Sequence, residues 1–369
     1  MAMYIYQQQN WTNFIWNECE ISVLLAQVRH LQGRVLGKMS ALGFALQKES
    51  TLATLTLDVL KSSEIEGEKL NRAAVRSSIA RRLGIEIAGT VYADRNTEGV
   101  VEMMLDATQN FSQPLTEDRL FGWHSALFPS GRSGMYKIET GYYRTGEMQV
   151  VSGASGNEKV HYEAPKPEII PAEMNLFLEW LNTETKQDTV IKAAIAHLWF
   201  VTLHPFDDGN GRIARAITDM LLARSDESSQ RFYSMSAQIQ KERKKYYATL
   251  EKTQHSSNDI TLWLNWFLTC LNRALLATEQ TLQNVLYKAN FWNKYAKISF
   301  NDRQKLMLNK LLDSDFRGKL QSSKWAKMAK CSSDTALRDI RDLMEKDVLQ
   351  QKSAGRNTNY ELKNDFFTD

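Results

Sequence analysis

The chain has 369 residues, 43% of them hydrophobic and 24% charged, with a formal net charge of +3. That length supports two or three domains with real cores, and the near balance of charge excludes a highly basic nucleic-acid-coating protein or an acidic tail. Cys19, Cys270 and Cys331 are odd in number and lack metal-ligand spacing, so a reduced, cytoplasmic setting is expected.

The opening MAMYIYQQQNWTNF leads no basic segment into an apolar run, so no secretory signal is expected. The stretch 191-IKAAIAHLWFVTL-203 is too short for a membrane span and holds Lys192 and His197, so no membrane partner is expected either. Six prolines and eighteen glycines leave long periodic segments unbroken. The fold class they predict is mostly α.

In chain order, apolar spacing predicts amphipathic helices over 18–46 and 48–71, a polar helix over 72–84, and helices over 97–111 and 116–128. Residues 130–165 break the pattern. There Met148, Val150 and Val151 face Val160, His161 and Tyr162 across a Gly/Ser/Asn turn, which predicts a β-hairpin. Helices are expected again over 167–183, 188–203, 212–225, 239–253 and 259–288. From residue 300 the order is helix, short helix, helix, turn and strand, the order of a winged helix.

Chemistry concentrates in 204-HPFDDGNGRIAR-215. The apolar helix before it delivers His204, and Pro205 stops the helix from continuing. Gly209, Asn210 and Gly211 then turn the chain into the next helix, where backbone N–H groups form an anion site. Arg212 and Arg215 add guanidinium charge suited to phosphate. Asp207 and Asp208 would repel a bare phosphate, but either suits a Mg²⁺ ion that bridges carboxylate and phosphates. His204 would then take the proton from an attacking hydroxyl. These are the parts of phosphoryl or nucleotidyl transfer. Taken alone, the same run also suits a plain turn behind a packed histidine. The segment 33-GRVLGKM-39 is one residue too short for a Walker loop and is read as helix.

The run 204–215 resembles, at every defined position, the signature of the Fic family of protein adenylyltransferases, His-x-Phe-x-Asp/Glu-Gly-Asn-Gly-Arg-x-x-Arg. The segment 160-VHYEAPKP-167, with 141-GYYR-144 upstream, looks like that family's flap, and 242-ERKKYYATLEKTQ-254 like its nucleotide-contacting helix. The resemblance implies transfer of AMP from ATP, with Mg²⁺, to a hydroxyl of a target protein or of the enzyme itself. It implies His204 as the base, Asp208 as the metal ligand and Phe206 as the loop's buried anchor. Gly209, Asn210, Gly211 and Arg212, with Ile213 and Ala214, would cradle the phosphates, and Arg215 would hold the γ-phosphate. Tyr246, Tyr247 and Gln254 would border the adenosine, although an asparagine is expected where Gln254 stands. The flap residues Val160, His161, Tyr162 and Glu163, with Glu66, would also border the nucleotide, and the flap would hold the target strand-wise.

Beside this loop, 62-SSEIEGEKL-70 fits the family's inhibitory pattern through Ser62, Glu66 and Gly67. The resemblance implies that Glu66 pairs with Arg215 and keeps the γ-phosphate from its productive place. The plainer reading makes Glu66 a solvated helix end and Gly67 its cap. The expected organisation is an N-terminal helical region over 1–95 carrying the inhibitory motif, a catalytic core over 96–290 and a winged helix over 295–369. The last has Arg338 and Arg341 on its recognition helix, but fourteen Lys/Arg against eleven Asp/Glu over 300–369 is a weak footprint for DNA. A homodimer is a further expected partner state. The alternative function is a DNA-associated nucleotide sensor, or transfer or removal of another phosphate-linked group.

Overall fold

The computed structural model describes residues 4–87, 90–152, 159–312, 318–353 and 358–363. The chain divides into two compact units, Met1–Thr278 and Glu279–Asp369. Both are mainly helical, and each described sheet is a two-stranded antiparallel ladder.

The first unit opens with α1 (Glu18–Ser40), α2 (Phe44–Ile65) and α3 (Arg72–Arg82). The helix expected to reach residue 46 stops at Ser40, and residues from Phe44 on already belong to α2. Side chains of Asn17 and Asn71 accept first-turn N–H groups and so begin α1 and α3. Next come α4 (Arg95–Gln109) and α5 (Glu117–Leu127), started by Asp94 and Thr116 in the same way. They cross closely at Gly99, where a Cβ would lie 1.7 Å from the Ala126 carbonyl oxygen, so only glycine fits.

Two hairpins follow, β1 (Arg132–Ser133) with β2 (Tyr136–Lys137), and β3 (Gln149–Ser152) with β4 (Lys159–Glu163). The second is the expected hairpin, with Val150 opposite Tyr162 and a register shift between Val150 and Val151. Its turn lies outside the described residues. The first was not expected from sequence.

Helix α6 (Ile170–Asn182) leads to α7 (Thr189–Leu203), every residue of which from Val190 onward is buried. A helix apolar all round belongs at a core's centre. The aromatic cluster of Trp11, Phe14, Phe177, Trp180 and Trp199 packs on one side of it. Helix α8 (Asn210–Asp226) packs along α7, followed by α9 (Met235–Lys241), α10 (Arg243–Gln254) and α11 (Thr261–Lys294). The single helix expected over 239–253 is two, broken at Glu242.

The second unit holds α12 (Asp302–Leu312), α13 (Ser322–Met328), α14 (Ser333–Glu345) and the hairpin β5 (Leu349–Ser353) with β6 (Asn359–Leu362). Its own core gathers Phe291, Met307, Leu308, Trp325, Ile340, Leu343 and Val348. Arg338 and Arg341 are exposed on α14.

Candidate active site

The site lies where α7 ends and α8 begins. His204 caps α7 in the left-handed region (φ 49°), a conformation that needs external support in a residue with a Cβ. Arg144 supplies it. This buried guanidinium donates to the His204 carbonyl at 2.8 Å and to the carbonyls of Gly146 and Pro165, while the Arg144 N–H donates to the Pro205 carbonyl at 2.9 Å. One side chain thus ties the loop end to the segments on both sides of the β3–β4 hairpin.

The His204 Nδ1 lies 3.0 Å from the Val201 carbonyl oxygen, which can only accept, so Nδ1 carries the hydrogen. Nε2 is left with its lone pair. Burial lowers the pKa below the ordinary histidine value, and the Arg144 charge acts in the same direction against Glu66 and Asp208. A neutral imidazole with a basic Nε2 is the form a proton acceptor needs.

The loop is held by Asn210, whose Oδ1 accepts from the Phe206 N–H at 3.0 Å while its Nδ2 donates to the Phe206 carbonyl at 2.8 Å. Its amide is therefore spent inside the loop rather than offered to a ligand. The Phe206 ring is fully buried and stacks on His124 at 4.2 Å. Gly209 takes φ 81°, with Phe128 only 2.9 Å from where a Cβ would stand, so the turn into α8 requires glycine there. The first-turn N–H groups of α8 have no partner inside their helix and open an anion site.

Asp208 accepts from the Gly209 N–H at 2.6 Å through Oδ1 and from the Ser133 hydroxyl through Oδ2. Ser133, on β1, is a site residue the sequence reading missed. The available signal was the pair Gly131 and Gly134, both at positive φ, which mark the small hairpin that brings it there. Asp207 accepts from the Glu139 N–H at 3.2 Å.

The two arginines are each met by a carboxylate. Arg215, 1% exposed, donates from Nε to the Ser62 hydroxyl at 2.9 Å and from Nη2 to the Ser62 carbonyl at 2.8 Å and Glu66 Oε1 at 2.7 Å. Burial alone would lower its pKa, but the charge and hydrogen bond of Glu66, joined by Tyr246 and Tyr247, together outweigh that and raise it. Arg212 donates from Nη1 to Glu68 Oε2 at 2.7 Å and lies over the Phe128 ring at 4.9 Å. Glu68 was not foreseen, because no periodicity marks it. Each guanidinium keeps one buried N–H without an acceptor, Nη1 of Arg215 and Nε of Arg212. A site built to hold further anionic oxygen leaves such atoms.

The other expected residues divide. Tyr247 is 36% exposed and reaches Glu66 Oε2 at 3.4 Å. Tyr246 is 2% exposed, and its hydroxyl lies 2.8 Å from His197 Nε2. Thr218 donates to the Ala214 carbonyl, so it accepts from His197 Nδ1 at 2.9 Å, and Tyr246 must donate to Nε2. Burial and the Arg215 charge lower His197 to about 3, so this relay is neutral. Tyr246 therefore backs Tyr247 from the core and does not itself line the cleft. Gln254, 5% exposed, sits behind the end of α7, with Nε2 3.4 Å from the Val201 carbonyl. Ile213 and Ala214 are buried on the core side of α8. In the hairpin, Tyr162 is buried and donates to the Thr202 carbonyl at 2.7 Å, and His161 pairs with Glu251 at 2.9 Å. Val160 stays 42% exposed, and Glu163 pairs across the ladder with Gln149.

No helix among the described residues is long and apolar enough to cross a membrane. Among them, too, no group of three or more His, Cys, Asp or Glu could cage a metal ion.

Residues 114–222 match the Fic/DOC family, and residues 4–85 match a domain of unknown function, DUF4172. An Aquifex aeolicus protein named a probable protein adenylyltransferase is 28% identical over 177 residues, 48% of this chain and 48% of its own. The protein adenylyltransferase Fic of Nematostella vectensis is 23% identical over 222 residues, 59% of this chain and 47% of its own. A uridine 5′-monophosphate transferase of Xanthomonas campestris is 33% identical over 119 residues, 30% of this chain and 21% of its own. The chain thus spans about half the length of the first two relatives or less. In fold, it is similar to the crystal structure of a Fic family protein from Desulfovibrio desulfuricans, with TM-score 0.54 and 20% identity over 94% of this chain and 96% of that one. Fic-1 (residues 134–508) from Caenorhabditis elegans follows at TM-score 0.50 and 20% identity, covering 72% and 74%. Residues 114–222, which carry His204, the arginines and the β3–β4 hairpin, are a Fic/DOC-family domain.

Proposed function

We propose that this chain is an autoinhibited, Mg²⁺-dependent protein adenylyltransferase that moves AMP from ATP to a hydroxyl side chain of a target protein or of itself. The observation that carries this reading is the juxtaposition of a basic His204 Nε2 with the α8 N-terminus and two arginines. Relatives named a probable protein adenylyltransferase and a protein adenylyltransferase support it.

His204 takes the proton of the acceptor hydroxyl as its oxygen bonds to the α-phosphorus. The bond from that phosphorus to the bridging oxygen breaks, and pyrophosphate leaves with the electron pair. The proton then passes from the imidazole to solvent. Backbone N–H groups at the start of α8, with Arg212 and Arg215, hold the β- and γ-phosphates, and that grip orients the α-phosphorus for attack. The exposed edge of β3–β4, with Val151 and Val160 partly open, would receive the target strand by ladder pairing.

Asp208 offers a hard oxygen donor beside this nest, and no full cage surrounds it among the described residues. That donor set suits an ion carried in with the triphosphate, bound by one carboxylate and by phosphate oxygens. Mg²⁺ bound there would neutralise phosphate charge.

Glu66 is the brake in this reading, because its carboxylate occupies the Arg215 face that a γ-phosphate needs. The test is labelling by ATP carrying isotope at the α- or the γ-phosphate, with wild type, Glu66→Gly and His204→Ala. α-Label on protein, strongest in Glu66→Gly and absent in His204→Ala, is the expected result. Label from the γ position alone would make the chain a kinase, and none in any lane would overturn the reading. UTP as competitor checks the choice of nucleotide, since one relative is named a UMP transferase.

A further inference from the structure

Helix α2 ends in a way that aims two carboxylates at once. The Gly67 N–H donates to the Glu64 carbonyl and the Glu68 N–H to the Ser63 carbonyl, both at 3.0 Å, with Gly67 at φ 88°. This paired back-bonding folds the chain over the helix end. It leaves Glu66 above Gly211 and Arg215, and it swings Glu68 onto Arg212 at 2.7 Å.

The two pairs are separate. Arg212 and Arg215 lie three residues apart, so they share one face of α8. Glu68 is the one carboxylate paired with Arg212 among the described residues. The Arg212 side chain is 3% exposed while that of Glu68 is 48% exposed, so the cation sits inside and its partner at the mouth. An anion entering along the first turn of α8 meets Arg212 and must displace Glu68 to use it fully.

We propose that Glu68 is a second, independent gate on the nucleotide, a specificity-determining residue that withholds Arg212 from the diphosphate as Glu66 withholds Arg215 from the γ-phosphate. This rests on the nucleotide-binding reading above and deepens it. Removing Glu66 alone leaves Arg212 occupied, so a Glu66→Gly protein is only partly released. A ligand with two phosphates contends with Glu68 whether or not it carries a third.

ADP is therefore the probe, with adenosine as the control that reaches neither arginine. Calorimetric titration of the full chain with ADP and Mg²⁺ should give roughly threefold to tenfold tighter binding in Glu68→Gln than in wild type. The same gain should appear when Glu68→Gln is added to Glu66→Gly, and it should shrink at high salt, because the gate is partly exposed. Adenosine affinity should be unchanged in every variant. Equal ADP affinities with and without Glu68, an equal gain for adenosine, or no ADP binding to any variant would each overturn the proposal. α-Label transfer in Glu66→Gly is scored separately. Transfer without a Glu68 effect on ADP sinks the gate and spares the enzyme reading. A Glu68 effect without transfer does the reverse. Melting temperature checks that the exposed substitution leaves the fold intact.

Discussion

Asn210 shows how one residue can serve chemistry by serving the backbone. Its amide closes both hydrogen bonds of the Phe206 peptide groups, which are buried and have no other way to be satisfied. Asn210→Ala leaves a donor and an acceptor unpaired and should destabilise the protein by about 2–4 kcal/mol in chemical denaturation. In the surviving folded fraction, transfer should fall more than ATP affinity, because the loop loses its aim before it loses its charges. His204 makes a pH prediction at the same scale. Burial holds its pKa below the ordinary 6.5, so the unprotonated base persists to lower pH than a free imidazole would. The acid limb of a pH–rate profile should therefore lie below 6.5, and a limb at or above that value would contradict His204 as the base.

At the scale of elements, the end of α2 and the start of α8 complete each other. The last four carbonyls of α2 are all satisfied: Ser62 by Arg215, Ser63 and Glu64 by the folded-back chain, and Ile65 by Arg243 at 2.7 Å. Arg215 is thus a cap for α2 as well as the partner of Glu66. On the proposed reading, a ligand that claimed Arg215 would untie this end of α2 and so couple the site to the N-terminal helices. Gly67→Ala places a Cβ at φ 88°, which costs about 1–2 kcal/mol. It should also raise basal labelling, because both carboxylates lose their aim.

The same two helices meet again at a buried charge cluster. Asp58 on α2 accepts from the Ser234 hydroxyl at 2.5 Å, and Asp219 on α8 pairs with Arg231 at 3.2 Å, while Asp226 takes the other side of that guanidinium. Burial and the neighbouring Asp219 charge raise the Asp58 pKa well above 3.8, against the pull of Arg231. A carboxyl with a raised folded-state pKa holds its proton more tightly folded than unfolded. Stability is therefore full below the unfolded value and declines as pH climbs from near 3.8 towards the raised one. Asp58→Asn removes that decline. Its melting temperature should exceed wild type by more at pH 8 than at pH 5. A constant difference across pH would refute the assignment.

At the scale of the whole molecule, two units with separate cores predict two calorimetric transitions. Trp325 is fully buried in the second core. Trp325→Ala should lower one transition by about 3–5 kcal/mol and leave ATP-dependent labelling unchanged. Loss of labelling would tie the second unit to catalysis.

Local rules carried much of this protein. Apolar spacing announced most helices, and the Gly/Ser/Asn turn announced the β3–β4 hairpin. The run 204–215 put the imidazole, glycine turn and arginines within twelve residues, so chain connectivity alone guaranteed their proximity. The glycine cap and the Glu66–Arg215 pair occur together, since the glycine that caps α2 also turns the carboxylate onto Arg215 instead of leaving it solvated.

What the sequence did not contain was direction over distance. The contacts of Glu68 with Arg212, Ser133 with Asp208 and Arg144 with the His204 carbonyl span 144, 75 and 60 residues. Neighbouring tyrosines looked alike in the chain, yet packing sent the Tyr246 hydroxyl to buried His197 and left Tyr247 beside Glu66. Periodicity reports which face of an element is apolar. Which polar group meets which across the fold is set only when the helices pack, because each buried donor and charge must then find its partner.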